Sequence, residues 1–291
     1  MQKKNLAMKN SITLQEKFTE CQQQKRALLA TNFYNFETLK GVLLAAFSVK
    51  SPIILQLTRS SIEYLGLPVA MELATSMLKY YEVEGWIHLD HGDSYDLVAS
   101  CLDAGFNSVM IDASEKPIEE NIKITQRVVK FAEGYGANVE AELGYIAKLG
   151  QKTDKVGFTL PGDAKRFVEE TGVNALAVAI GSAHGFYKDE PKLDLDLLSE
   201  IRKVTGAALV LHGASGIPHD VLRDAIKKGI CKINLATEIK NIFMKTLKSK
   251  LTNEDEIDLR KVFPCATDAV TELVRNKLQA IHIESNAQIN T

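Results

Sequence analysis

Long apolar runs are missing from this chain of 291 residues. No stretch reaches the roughly 18 consecutive apolar residues that cross a bilayer, so no membrane partner is expected. Residues 1–10 are polar and lysine-containing, without an apolar segment or a small-residue cleavage site, and do not read as a secretory signal. Cysteine is scarce. Cys21, Cys101, Cys231 and Cys265 stand far apart with no Cys-x-x-Cys pair, which predicts reduced thiols in a cytoplasmic protein. An excess of positive charge is also lacking: the formal net charge is −2, so no bulk basic field favours a nucleic-acid partner. Linkers, low-complexity tracts and charge blocks are absent too, and residues 1–291 read as a single domain. What remains is ordinary globular composition, 45% hydrophobic and 25% charged, in a chain long enough to bury a large core without cross-links.

Eight short apolar, β-branched-rich runs recur, at 27–33, 52–58, 86–91, 108–114, 138–144, 175–181, 208–213 and 232–237. Near-continuous apolar strands suit a parallel sheet buried on both faces. Helical periodicity fills the intervals. Residues 95–104 place Leu97, Val98, Cys101 and Leu102 on one face, and 118–135 repeat Ile122, Val128, Val129 and Ala132 against Lys and Glu. Stretches 164–171, 195–204 and 220–228 behave alike. Strand alternating with helix eight times predicts an α/β fold, the (β/α)8 TIM barrel. The stretch 145–161 and the segment after Lys250 break the rhythm. Long βα loops of this kind often carry function.

In such a barrel, functional side chains gather at the C-terminal ends of the strands. The expected strand ends bring Asn32, then Asp90 and His91, Asp112, Glu140 and Glu142, His184, His212, and Asn234 with Thr237. Strand two ends less specifically at Thr58 and Arg59. Three of the six histidines, His91, His184 and His212, fall at one rim from strands three, six and seven. Three neutral imidazoles with an open fourth position make a catalytic zinc (Zn2+) site. His88 lies inside strand three, either as a packed residue or as a support behind the metal ligands, and His219 and His282 fall on predicted helices as solvated residues. Two glycine-rich turns, Gly181-Ser182-Ala183-His184-Gly185 and His212-Gly213-Ala214-Ser215-Gly216, also follow strands. Glycines let backbone N–H groups approach an anion, and barrels often bind phosphate at the loops after strands seven and eight. A metal beside a phosphate site, with carboxylates alongside, suits carbon–carbon cleavage of a phosphorylated ketose. The metal polarises a carbonyl and a carboxylate moves the proton of a neighbouring hydroxyl.

His88-Leu89-Asp90-His91-Gly92, Glu140-Ala141-Glu142-Leu143-Gly144, Gly181-Ser182-Ala183-His184-Gly185, Leu209-Val210-Leu211-His212-Gly213-Ala214-Ser215-Gly216 and Lys232-Ile233-Asn234 together resemble the class II ketose-bisphosphate aldolases. The likeness runs from about Asn32 to Arg260, and the stretch 229–241 is most similar to the tagatose-bisphosphate aldolase branch. The resemblance implies zinc on His91, His184 and His212, and proton exchange between Asp90 and the C4 hydroxyl. It implies a C1-phosphate site from Gly181, Lys188, Gly213, Ser215, Asn234 and Thr237, with Asn32 and Thr58 at the substrate. Asp112 and Glu142 would line a more buried, non-catalytic metal position. Arg260, in Asp258-Leu259-Arg260, is similar to an Asp-Pro-Arg element that reaches the distal phosphate, often across a dimer interface, with Leu259 in place of the proline. A monovalent cation (Na+ or K+) near the phosphate, a homodimer or homotetramer, and a cytoplasmic location are further implications.

Two departures bear on the reaction. The family follows its Glu-Leu-Gly with a glycine-rich loop ending in a glutamate, the base for the C3 proton. Here Lys148, Gln151 and Lys152 occupy that place, leaving Asp154, another group, or a reaction that differs in detail. Thr58-Arg59-Ser60-Ser61 replaces a Ser-x-Gly-Ala type sequence. Arg59, Lys148 and Lys152 are either solvated loop cations or contacts for an acidic tail, a phosphate, carboxylate or sulfonate, on the far half of the substrate. The expected activity is reversible cleavage of a ketose 1-phosphate or 1,6-bisphosphate to dihydroxyacetone phosphate and an aldehyde. The alternatives are a non-catalytic aldolase-like subunit and a different zinc barrel such as an amidohydrolase. The last usually shows His-x-His on strand one, where this chain has Ala30-Thr31-Asn32.

Overall fold

Strands that are apolar on both faces need cover on both, and here each strand has it. The computed structural model describes residues 12–144, 146, 157–185, 187 and 191–282. Eight parallel strands, β1 (Leu28–Asn32), β2 (Ile53–Leu57), β3 (Gly85–Gly92), β4 (Ser108–Ile111), β5 (Asn138–Leu143), β6 (Ala175–Val178), β7 (Ala208–Leu211) and β8 (Ile230–Leu235), close in chain order into a barrel. Closure is made by β1 on β8, with Leu28 opposite Lys232 and Thr31 opposite Leu235. The expected (β/α)8 barrel is therefore the observed one. Strands β4 and β6 end three residues earlier than the apolar runs suggest. Ala179 and Ile180 stay buried after the ladder has ended, so hydrophobicity outlasts pairing there. β8 starts two residues earlier than expected, where Ile230 pairs with Leu209. Thr237 lies outside it, as the first residue of the helix Thr237–Asn253.

Alternation sorts the strand side chains between two cores. Leu29, Ile53, Leu55, Ile87, Val109 and Leu176 pack outward under the helices. Leu28, Ala30, Ile54, Trp86, Ala175, Ala177, Ala208, Val210 and Cys231 form a second cluster with Leu14, Phe18 and Cys21. Those last three belong to the helix Leu14–Gln24, which the sequence reading leaves unassigned. Its start is nonetheless written in the sequence as Thr-x-x-Glu. The Thr13 hydroxyl accepts from Glu16 N–H, and the Glu16 carboxylate accepts from Thr13 N–H. Spacing of four and three residues puts Leu14, Phe18 and Cys21 on one stripe, which closes the N-terminal end of the barrel. Each large side chain buried in this way contributes about 1.5–3 kcal/mol relative to exposure.

Above that apolar floor the interior turns polar. Asn32, Gln56, His88, Asp90, Glu140, Glu142, Lys232 and Asn234 are all buried side chains of the strands. Of the two remaining histidines, His219 opens the helix His219–Lys227 and is exposed. His282 follows the helix Pro264–Ile281 rather than lying within it, and its Nε2 is 3.0 Å from Ser51 Oγ. Among the described residues, no helix is long and apolar enough to cross a membrane.

Candidate metal centre and active site

Three histidines reach the open end of the barrel from different strands. His91 is the penultimate residue of β3, where the register with β4 shifts between Leu89 and Gly92. Its backbone sits at φ 49°, a left-handed conformation that costs a non-glycine residue about 1–3 kcal/mol and is typical of functional positions. His212 directly follows β7, and His184 lies in the loop after β6. Their ring centroids are 4.8 Å (His91–His212), 5.0 Å (His91–His184) and 5.7 Å (His184–His212) apart. One ligand atom from each, together with a Glu142 oxygen, fall within 4.8 Å of one another.

The surroundings prepare these rings as ligands. Asp112 Oδ2 accepts a hydrogen bond from His91 Nδ1 at 2.7 Å, which leaves Nε2 facing the cluster. Glu140 Oε1 lies 2.9 Å from His212 Nε2 and accepts a hydrogen bond from it, leaving Nδ1 facing inward. Buried His212 Nδ1 and Glu142 Oε2 are 3.2 Å apart in a geometry that makes no hydrogen bond, and neither has another partner. Two buried polar atoms without partners, both pointed at a set of imidazoles, are what a divalent cation would satisfy. Without a metal the charge states of the three rings differ. Burial opposes charge on His212, yet Glu140 and Glu142 on either side push it up to about 10. Burial and the neighbouring imidazoles bring His184 down to about 3. Burial likewise works against Asp112, but the His91 and Ser114 hydrogen bonds hold it well below the usual carboxylate range.

Beside the cluster stands Asp90, 5% exposed. Three amides face its carboxylate: Asn32 donates at 2.9 Å, Gln56 at 3.3 Å and Asn234 at 3.4 Å. Burial raises its proton affinity, but the His91, His212 and Lys232 charges and the Asn32 bond outweigh that and lower it. Asp90 is therefore held ionised. Gln56 is a site residue that sequence reasoning misses, since it sits within an apolar strand with no motif around it.

These groups open into a cavity of about 690 Å3 whose lining includes Asn32, Thr58, Asp90, His91, Asp112, Glu142 and His184. Gly213, Ser215, Asn234 and Thr237 line its other side, next to the start of the helix Thr237–Asn253. Gly213 is required by shape: at φ 67° a Cβ would lie 2.3 Å from the Ala183 carbonyl oxygen. Tyr34 and Lys240 also line the cavity, the Lys240 ammonium 5.5 Å from the Tyr34 ring centroid. Gly181 follows β6 but does not line the cavity. Arg59, between the lining residues Thr58 and Ser60, does not itself line the cavity and pairs with the lining residue Asp93. Arg260 is largely exposed, pairs with Asp258 and lies away from the cavity of its own chain. Lys188, Lys148, Lys152 and Asp154 lie outside the described residues.

Residues 12–286 match the model of the family described as fructose-bisphosphate aldolase class-II. The chain belongs to that family. It is an aldolase, a lyase acting on a carbon–carbon bond. A fructose-bisphosphate aldolase of Geobacillus stearothermophilus is 38% identical over 279 residues, covering 92% of this chain and 96% of the relative. One from Giardia intestinalis is 36% identical over 296 residues, covering 92% of each. The crystal structure of the YdjI aldolase from Escherichia coli K12 superposes with a TM-score of 0.84 at 32% identity, covering 94% of this chain and 98% of that one. The class II family is metal-dependent, and the cluster of His91, His184, His212 and Glu142 is where this aldolase offers metal ligands.

Proposed function

We propose that this aldolase uses zinc to cleave a ketose 1-phosphate or 1,6-bisphosphate of the fructose or tagatose type reversibly to dihydroxyacetone phosphate and an aldehyde. The observation that carries the reading is the set of three imidazoles with a buried carboxylate, Asp90, beside it. His91, His184 and His212 would hold the metal, with Asp112 and Glu140 fixing two of the rings. Bound zinc supplies Lewis-acid polarisation of the substrate carbonyl. Asp90 takes the proton of the C4 hydroxyl as the C3–C4 bond breaks, and returns it in the condensation direction. Gly213, Ser215, Asn234 and Thr237 surround the end of the cavity suited to the C1 phosphate, where the first N–H groups of a 17-residue helix favour an anion. Asn32 and Asn234 orient Asp90 through their amide donors. Arg260, away from its own cavity, would serve the distal phosphate of a neighbouring subunit in a homodimer or homotetramer.

A second substrate class is favoured by Lys116 and Lys240 in the lining, with Arg59 next to the lining residues Thr58 and Ser60. These cations suit a ketose 1-phosphate whose far end carries a carboxylate or sulfonate. One experiment tests both readings. Metal content and dihydroxyacetone phosphate release are measured for the wild type and for His212→Ala, over a panel of ketose phosphates with phosphate, carboxylate and sulfonate tails. The expected result is zinc in the wild type, cleavage of at least one panel member, and loss of both in the variant, since three ligands cannot spare one. Full activity of the variant would refute the metal assignment.

A further inference from the structure

The reaction proposed above leaves one charged group in the barrel unused. Lys232, on β8, is fully buried, and its ammonium donates to Glu140 Oε2 at 2.8 Å. The other oxygen of Glu140, Oε1, is the one bonded to His212 Nε2 at 2.9 Å. A carboxylate tied in two directions cannot rotate, so the lysine sets the orientation of the bond that in turn sets His212. Lys232 is itself located from a second side. His88 Nε2 lies 3.5 Å from the ammonium, and since an ammonium only donates, Nε2 must be the accepting nitrogen. His88 Nδ1 then carries the proton toward Ser108 Oγ at 2.7 Å, and Ser108 Oγ also accepts from Asn138 at 3.2 Å. The chain runs through β4, β5, β3 and β8 to the ring that follows β7.

We infer that Lys232 is a positioning residue for the metal centre: through Glu140 it holds His212 with Nε2 protonated and Nδ1 presented to the metal. This inference rests on the metal reading of the site. Charge balance alone is a poor reason for the pair, because a buried ion pair replaced by apolar groups of similar volume is often neutral or stabilising. Outer partners of a metal-bound histidine, by contrast, typically alter metal affinity 10- to 100-fold.

The test is Lys232→Met, with Zn2+ affinity read by chelator competition and the visible spectrum read after Co2+ loading. Metal binding by the wild type is established first, and its absence would defeat the metal reading rather than this inference. The expected result is a folded variant that binds Zn2+ about 10- to 100-fold more weakly, with an altered Co2+ spectrum. A folded variant with unchanged affinity and spectrum overturns the inference. Should the unpaired Glu140 prevent folding, the doubly neutral Lys232→Met/Glu140→Gln variant is compared with Glu140→Gln alone: equal Zn2+ affinity of the two supports action through Glu140, and a further loss of about tenfold in the double variant overturns it. Nitrogen NMR of the zinc-loaded wild type decides the tautomer without any mutation. A proton on His212 Nε2 supports the inference, and a proton on Nδ1 overturns it.

Discussion

Replacing Asp90 with asparagine alters the site by one charge and almost no volume. The native carboxylate faces three amide donors, Asn32, Gln56 and Asn234, and accepts from each. An asparagine there keeps one accepting oxygen and turns an NH2 toward at least one of those donors. Leaving a buried donor unpaired costs about 1–3 kcal/mol, which should appear as a modest loss of stability. The larger effect falls on turnover. Losing a positioned proton acceptor lowers the rate by a factor of about 10² to 10⁴, equivalent to about 3–5 kcal/mol in the barrier. His91, His184 and His212 are untouched, so Asp90→Asn should retain its metal. The assay couples dihydroxyacetone phosphate release to a reductase, with metal content measured on the same sample. Exchange of the C3 protons of dihydroxyacetone phosphate with deuterated water should continue, because that half-reaction does not involve the C4 hydroxyl. The lowered proton affinity of Asp90 sets the sign with pH: the group stays ionised through the ordinary carboxylate range and above, so its protonation should not limit cleavage between pH 5 and 8. Near-normal turnover, or loss of metal together with activity, would refute the reasoning.

Metal affinity should also respond to pH. Glu140 and Glu142 raise His212 to about 10, so below that pH an incoming cation must displace its proton. The apparent affinity then rises by about tenfold per pH unit for each proton displaced, and calorimetry in buffers of different ionisation enthalpy should register proton release between pH 6 and 8. A flat profile would count against an imidazolium at that position. At the other end of the barrel, Phe18→Ala should lower stability to denaturant by about 3–5 kcal/mol while leaving the kcat of the folded fraction unchanged. A loss below about 1 kcal/mol would mean that this helix is not part of the core.

Much of the barrel is legible in the sequence because parallel strands covered on both faces must be apolar nearly throughout, and 53–57 or 208–211 can be little else. The rim is legible for a related reason: a His or Asp at the end of such a run stands out against it. Strand ends are less legible, since Ala179 and Ile180 are as buried as the paired residues before them. The floor helix is missed although Thr13 and Glu16 announce it, because its stripe has only three apolar members, Leu14, Phe18 and Cys21. Gln56, Tyr34 and Lys240 are common residue types whose importance arises from partners far away in the chain. Gln56 meets Asp90 across 34 positions, and Lys232 meets Glu140 across 92. Local patterning carries no trace of such pairs, which follow only from closing the cylinder.

The packed lower half of that cylinder has a consequence for traffic. With Leu14, Phe18 and Trp86 filling the N-terminal end, the cavity is a blind well rather than a tunnel. Whatever enters by the rim must leave by the rim.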